Sequence, residues 1–221
     1  MARHEPTKAW HAENWFIMLE KFIHDGLIIW STIDPIGTMA IFAAFTAHLS
    51  PVDRRRTAYK VVIYAGAVLM GSIVIGQFLL TAMGIRLLSF QLSGGIILFL
   101  FGLQMIFGSG PQRSQQEPEH DIAVFPLAIP ATATPGAILA VILLTDNHTH
   151  PISVQIGTAI ITIGILVVTL ILLLYSSRII SVIGVNGASI LTRIMGMILA
   201  ALSVEFVMNA LGIEQWIGPA P

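Results

Sequence analysis

Apolar residues fall in long blocks along this chain, divided by short polar interruptions. A bilayer-spanning helix needs about 20 mostly apolar residues. The first block runs from about Trp15 to Ala47, too long for one simple span, and Asp34-Pro35-Ile36-Gly37 interrupts it. Its opening turns pair Glu20 with His24 and Lys21 with Asp25 at a spacing of four, so one helix face is polar and packs inward or lies at the interface. The second block covers about 59–83 and the third about 87–108. A polar loop at about 109–121, including Pro111, Gln112, Arg113 and Glu117, precedes a fourth block at about 122–144. Pro130, Pro135 and Gly136 break that block. Asp146-Asn147-His148-Thr149-His150 leads to a fifth block at about 152–175, and a sixth covers about 189–212. The pattern predicts an all-α, polytopic membrane protein with six transmembrane helices, the first and fourth broken. Trp15, Tyr59, Tyr175 and Trp216 lie near block ends, as interfacial aromatic residues do, and Trp30 fits that role least.

The chain repeats itself. Segments 27–51 and 127–151 align without a gap at Leu27/Leu127, Ile29/Ile129, Thr32/Thr132, Pro35/Pro135, Ala40/Ala140, His48/His148 and Pro51/Pro151. At an offset of 102, Gly94 meets Gly196 and Ile96 meets Ile198. Repeat 1 then covers about 15–108 and repeat 2 about 122–213, within one transmembrane domain spanning 1–221. Three spans per repeat is an odd number, so the second copy enters the membrane from the opposite side. The expectation is two inverted three-helix repeats, as in many secondary transporters.

Composition agrees with a membrane solvent. Hydrophobic residues make up 55% of the chain and charged residues 10%, against about 25% charged in soluble domains. The mean hydropathy is +0.84. A net charge of -1 offers no basic field for nucleic acid. Cysteine is absent, which excludes disulfides and thiolate metal sites. The first 13 residues are polar and mixed in charge, unlike a signal peptide. Loop cations set the orientation. Arg54, Arg55, Arg56, Lys60, Arg113, Arg178 and Arg193 fall on one side; Arg3, Lys8 and Arg86 fall on the other. The positive-inside rule places the first set in the cytoplasm and both termini outside.

The breaks carry the candidate chemistry. A broken helix frees backbone groups that lipid cannot satisfy, so they face protein, water or ligand. Half-helices starting near Ile36 and Gly136 present N–H groups and positive dipole ends, which suit a carboxylate. Thr38, Thr132 and Thr134 add hydroxyls. The candidate substrate-binding set is Asp34, Pro35, Ile36, Gly37, Thr38, Thr132, Thr134, Pro135 and Gly136. Asp34 suits two roles, an N-cap of the second half-helix and a holder of a proton or an ammonium group. Glu205, in mid-span, is expected to be shielded, paired or protonated and is a second coupling candidate. His48 and His148 read as solvated loop residues without metal-site spacing. Gly94, Gly95, Gly102, Gly66, Gly71 and Gly76 read as close-packing positions. No phosphate loop, nucleophile elbow or metal cluster stands in the sequence. Neither enzymatic activity nor a cofactor is therefore expected.

Asp34-Pro35-Ile36-Gly37 with Ile41-Phe42 resembles the D-P-L-G-N-x-P-I-F motif of the MarC family. Phe125-Pro126-Leu127-Ala128-Ile129-Pro130 with Thr134-Pro135-Gly136 resembles its P-L-A-I-P-x-x-A-G-P-G motif. Ser93–Phe99 and Arg193–Gly196 also look like family segments. The resemblance covers about residues 15–213 and implies a six-span bacterial or archaeal inner-membrane protein. SnatA-type relatives carry small neutral amino acids such as glycine and alanine, so the resemblance implies that activity, with ion or proton coupling. Thr38 stands where many members have Asn, Thr134 where many have Gly, and Glu205 where Gln is frequent. A channel or facilitator for small solutes and a non-transporting membrane scaffold or sensor are the alternatives. The expected partners are a small neutral amino acid and the lipid bilayer; a homo-oligomer is left open.

Overall fold

The computed structural model describes residues 8–108, 121–147 and 149–213, with side chains from Met18 onward except that of Val185. The loop expected before Asp121, with Arg113, lies outside the described residues. So do Arg3, His148, Trp216 and the side chains of Lys8, Glu13 and Trp15.

Helix α1 (Lys8–Ile33) is followed after one residue by α2 (Pro35–Phe45). Helices α3 (Pro51–Ala82) and α4 (Leu87–Phe107) complete the first half. The second half opens with an irregular, partly helical segment, Ala123–Thr132, in which Phe125 and Ile129 are extended before Pro126 and Pro130, and continues with α5 (Pro135–Leu144). A helical run then covers Ile152–Leu211. Gly184, with φ 71° and ψ 168°, divides it into α6 (Ile152–Gly184) and α7 (Asn186–Leu211). Five helical stretches are long and apolar enough to cross a membrane, and six when the pair Ala123–Thr132 and Pro135–Leu144, bent by 54°, counts as one span. No strand occurs among the described residues. The all-α, polytopic architecture with interrupted first and fourth spans is as the sequence predicts.

Two boundaries differ from the expectation. Helix α3 starts at Pro51 rather than near 59, because Ser50 caps it by accepting the Asp53 N–H at 3.2 Å and Pro51 takes the first helical position. Arg54, Arg55, Arg56 and Lys60 therefore ride on helix rather than loop. Likewise α6 runs to Gly184 instead of 175, and α7 begins at Asn186 instead of 189. A single residue at positive φ replaces the expected loop.

Polar contacts fix which helix ends lie together. At one end, Lys60 Nζ meets Asp121 Oδ2 at 2.6 Å. That bond, with a second from the Ala123 N–H, holds the Asp121 carboxyl below its ordinary range. Nearby contacts at the same end join Arg54 to Ser176 at 2.9 Å and to Ser177. At the other end, Thr158 donates to Asp25 at 2.8 Å and Gln77 to Asp146 at 2.7 Å. Asp25 also pairs with Lys21 at 2.8 Å, so that half of the polar pattern expected on α1 packs inward, while Glu20 and His24 are exposed. His150 lies near Lys21, Asp25 and Asp146, and desolvation first, then Lys21, lowers its pKa. The chain from Asp25 through α2 thus runs from the second end to the first. The chain from Asp121 through α5 runs the other way.

Packing uses small residues, since lipid gives no hydrophobic drive between helices. A Cβ at Gly102 would stand 2.9 Å from the backbone of Gly196 and Ala200, so α4 and α7 touch backbone to backbone. Gly66 has only an ordinary contact, with Leu166, and Gly71 has none within 4 Å, so the close-packing role expected there does not hold. The core beside the breaks is built from Ile29, Ile33, Leu69, Ala133, Ala137 and Val141. Trp30 packs against it rather than at the interface.

Candidate functional site

Each break arises from the same local logic. Proline lacks an N–H and favours the first helical position, so Pro35 and Pro135 each end one helical stretch and start another. The residue before each proline caps the new half-helix. Asp34 Oδ1 accepts the Gly37 N–H at 3.0 Å, and Thr134 Oγ accepts the Ala137 N–H at 2.9 Å. Asp34 reaches this position in a left-handed conformation, φ 47° and ψ 71°. Gly37 makes room for it, because a Cβ there would collide with the Asp34 carboxylate. The capping role proposed for Asp34 from sequence is therefore present.

The two breaks touch. A continuous helix would offer the Ala131 carbonyl the N–H of residue 135, but that residue is proline. Thr38 Oγ, from the first break, donates to Ala131 O at 2.9 Å instead. In return Thr134 Oγ, from the second break, donates to Thr32 O at 2.7 Å. Each break thus satisfies a carbonyl that the other has stranded. Asp34, Thr38 and Thr134 are 7%, 1% and 5% exposed, so this crossing is closed to solvent.

Other candidates are placed differently. Thr132 Oγ turns back into its own segment and donates to Leu127 O at 2.8 Å. Pro35 and Gly136 are buried and Ile36 half-buried at the crossing. Of the three states expected for Glu205, shielded, paired or protonated, the first two do not hold among the described residues, where it is exposed and forms no ion pair. The reason is helical phase. Helix α7 packs on α4 through Gly196, Ala200, Ser203 and Phe206, and position 205 points away from that face. His48 is exposed. No group of three or more acidic or imidazole side chains arranged to hold a metal occurs among the described residues.

Sequence reasoning missed three participants. Leu98 of α4 lies directly over the start of α5, where a Cβ on Gly136 would run into it. Its only signal was its place in the Ser93–Phe99 segment. Thr46 and Thr145 end the two half-helices in the same way, donating to Phe42 O at 2.7 Å and to Val141 O at 2.6 Å. The second half-helix is one residue shorter, 10 against 11, so a gapless alignment could not pair them.

Comparison with known proteins agrees with this architecture. No solved structure is significantly similar to the chain. A UPF0056 membrane protein of Pyrococcus abyssi is 33% identical over 83% of this chain and 90% of its own. One from Methanocaldococcus jannaschii is 33% identical over 87% and 97%. The UPF0056 inner membrane protein MarC of Salmonella paratyphi A is 27% identical over 86% and 94%. The family model described as MarC family integral membrane protein matches residues 19–217, so the chain belongs to the MarC family of integral membrane proteins.

Proposed function

We propose that this chain is a secondary transporter of small neutral amino acids, of the glycine and alanine class, coupled to protons or another ion, and not an enzyme. The observation that carries the reading is the hydrogen-bonded crossing of two broken spans that run in opposite directions. We read the halves as inverted repeats about that crossing. Half-helix starts are suited to a carboxylate: one is worth about 0.3–1 kcal/mol to an exposed anion and up to about 2 kcal/mol when partly buried. The caps take the N–H groups of Gly37 and Ala137, which leaves those of Ile36 and Gly136 for the ligand. Asp34 Oδ2, whose companion oxygen holds the cap, receives the ammonium group or the coupling proton. Thr134 at the equivalent position supplies no charge, so the site is asymmetric, as a zwitterion requires.

The crossing is closed, and its two threonine bonds are light latches. Hydrogen bonds between membrane helices average about 0.6 kcal/mol and rarely exceed about 1.7 kcal/mol. A zwitterion can therefore take over both sides of these bonds, its carboxylate accepting from the Thr38 and Thr134 hydroxyls and its ammonium donating to the freed carbonyls of Ala131 and Thr32, while Leu98 moves aside. Entry of substrate from one side and exit to the other would follow from rocking α2 and α5 about this point.

Purified protein in liposomes preloaded with unlabelled glycine tests the reading. Labelled glycine should enter by saturable counterflow, with competition from alanine and serine but not from lysine, glutamate or tryptophan. Thr38→Val and Thr134→Val should fold and raise the half-saturating concentration. Flux that never saturates would indicate a channel. No flux, with no thermal stabilisation by any amino acid, would leave a scaffold; a ligand at 100 times its Kd should add about 2.7 kcal/mol.

A further inference from the structure

We propose that the protein binds an anionic phospholipid at a groove on α6, on the side of the membrane where the α3 arginines lie. The groove is about 450 Å³ and is lined by Ile171, Leu172, Tyr175, Arg178, Ile179, Val182 and Ile183. Ile171, Tyr175 and Val182 are 48%, 51% and 84% exposed, so this apolar surface has no protein cover among the described residues. A spanning helix presents such a surface to acyl chains.

Depth decides the kind of occupant. Helix α6 has 33 residues, about 50 Å, whereas the hydrocarbon core is about 30 Å thick. The helix starts at Ile152, so its last turns, with Arg178, stand beyond the hydrocarbon at headgroup depth. Tyr175, one turn earlier, marks the interface. Its ring receives the Arg178 guanidinium at 5.8 Å from the centroid, which turns the charge toward the groove rim. No carboxylate pairs with Arg178 among the described residues. Arg54 bonds the two serines just before it, bringing a second guanidinium to the same turn. Arg178 stands at headgroup depth between the membrane-facing Ile171–Tyr175 part of the groove and the Ile179–Ile183 part beyond it, which matches one phospholipid: phosphate on Arg178, acyl chain along Ile171 and Leu172. A zwitterionic lipid supplies the chain but no net charge.

Titration of the full chain in detergent with phosphatidylglycerol and with phosphatidylcholine, read by native mass spectrometry and by thermal unfolding, tests the site. Phosphatidylglycerol should bind more tightly and raise the unfolding temperature more. Arg178→Gln should weaken that lipid about ten-fold, the scale of one charge-assisted contact, and Arg178→Lys should restore part of it. Val182→Asp, at an exposed position, should reduce binding without altering the unfolding temperature in detergent alone. Inorganic phosphate should give no shift. Equal binding of both lipids, no effect of Arg178→Gln, saturation by phosphate alone, or a dimer that buries the groove would each overturn the proposal. None of these readouts depends on transport.

Discussion

At the scale of single residues, Asp34 and Gly37 form one device. The carboxylate can cap α2 only because position 37 has no Cβ, and the strained backbone of Asp34 persists because that cap holds it. Gly37→Ala should therefore push the carboxylate off the cap and cost about 0.5–2 kcal/mol, the range for losing an N-cap. Gly71→Ala is the control: nothing lies within 4 Å of its new methyl, and alanine favours helix by up to about 1 kcal/mol. Thermal unfolding in detergent should show a lower midpoint for the first and an equal or higher one for the second. Equal losses in both would remove the special role of Gly37. Much of this was legible beforehand, since Asp-Pro announces a cap and a restart. What sequence could not supply was phase and partner. Thr38, Thr132 and Thr134 look alike in a list, yet two reach across to the other break and one turns back on its own segment. Glu205 looked costly in mid-span, and only the packing of α7 shows which way it points.

At the scale of elements, helices meet where side chains are smallest. The crossing of α4 and α7 puts Gly102 against the backbone of Gly196 and Ala200, and backbone cannot move aside as a flexible side chain can. Gly102→Leu should separate the two helices and prevent recovery of a monodisperse protein. By contrast Gly76→Ala should fold, because its new methyl would meet only the Ile142 side chain, at 2.6 Å, which can change rotamer. Size-exclusion profiles of the two variants check this, and matched profiles would contradict it. The elements themselves were readable because hydrophobic length is a strong signal. Their ends were not. The α6–α7 boundary is one glycine inside an apolar and hydroxylic run, a composition that reads as loop or helix alike. The α3 start carries three arginines, which a count of loop charge absorbs although Ser50 and Pro51 had already begun the helix.

At the scale of the whole molecule, the polar contacts sort into two ends, and that sorting makes the topology testable. Helix α3 has 32 residues, about 48 Å, so Ser50 and Met83 stand on opposite faces of a core about 30 Å thick. The Ser50 end gathers Arg54, Arg55, Arg56 and Lys60, and its contacts with Asp121, Ser176 and Ser177 bring Arg178 to the same side. The Met83 end has Arg86 in the following turn, and the nearby Lys21 is neutralised by Asp25. Positive charge in short connections faces the cytoplasm because it resists translocation. Moving the arginines from loop to helix leaves the loop-charge prediction the same, since a cation at a helix start lies at the same membrane face as one in the loop before it, and that prediction puts the Ser50 end in the cytoplasm. The chain has no cysteine, so Ser50→Cys and Met83→Cys each create a single reporter. In intact cells an impermeant thiol reagent should label position 83, which is 64% exposed, and leave position 50 unlabelled until the membrane is opened. The opposite pattern would invert the molecule and place the α3 arginines outside the cell.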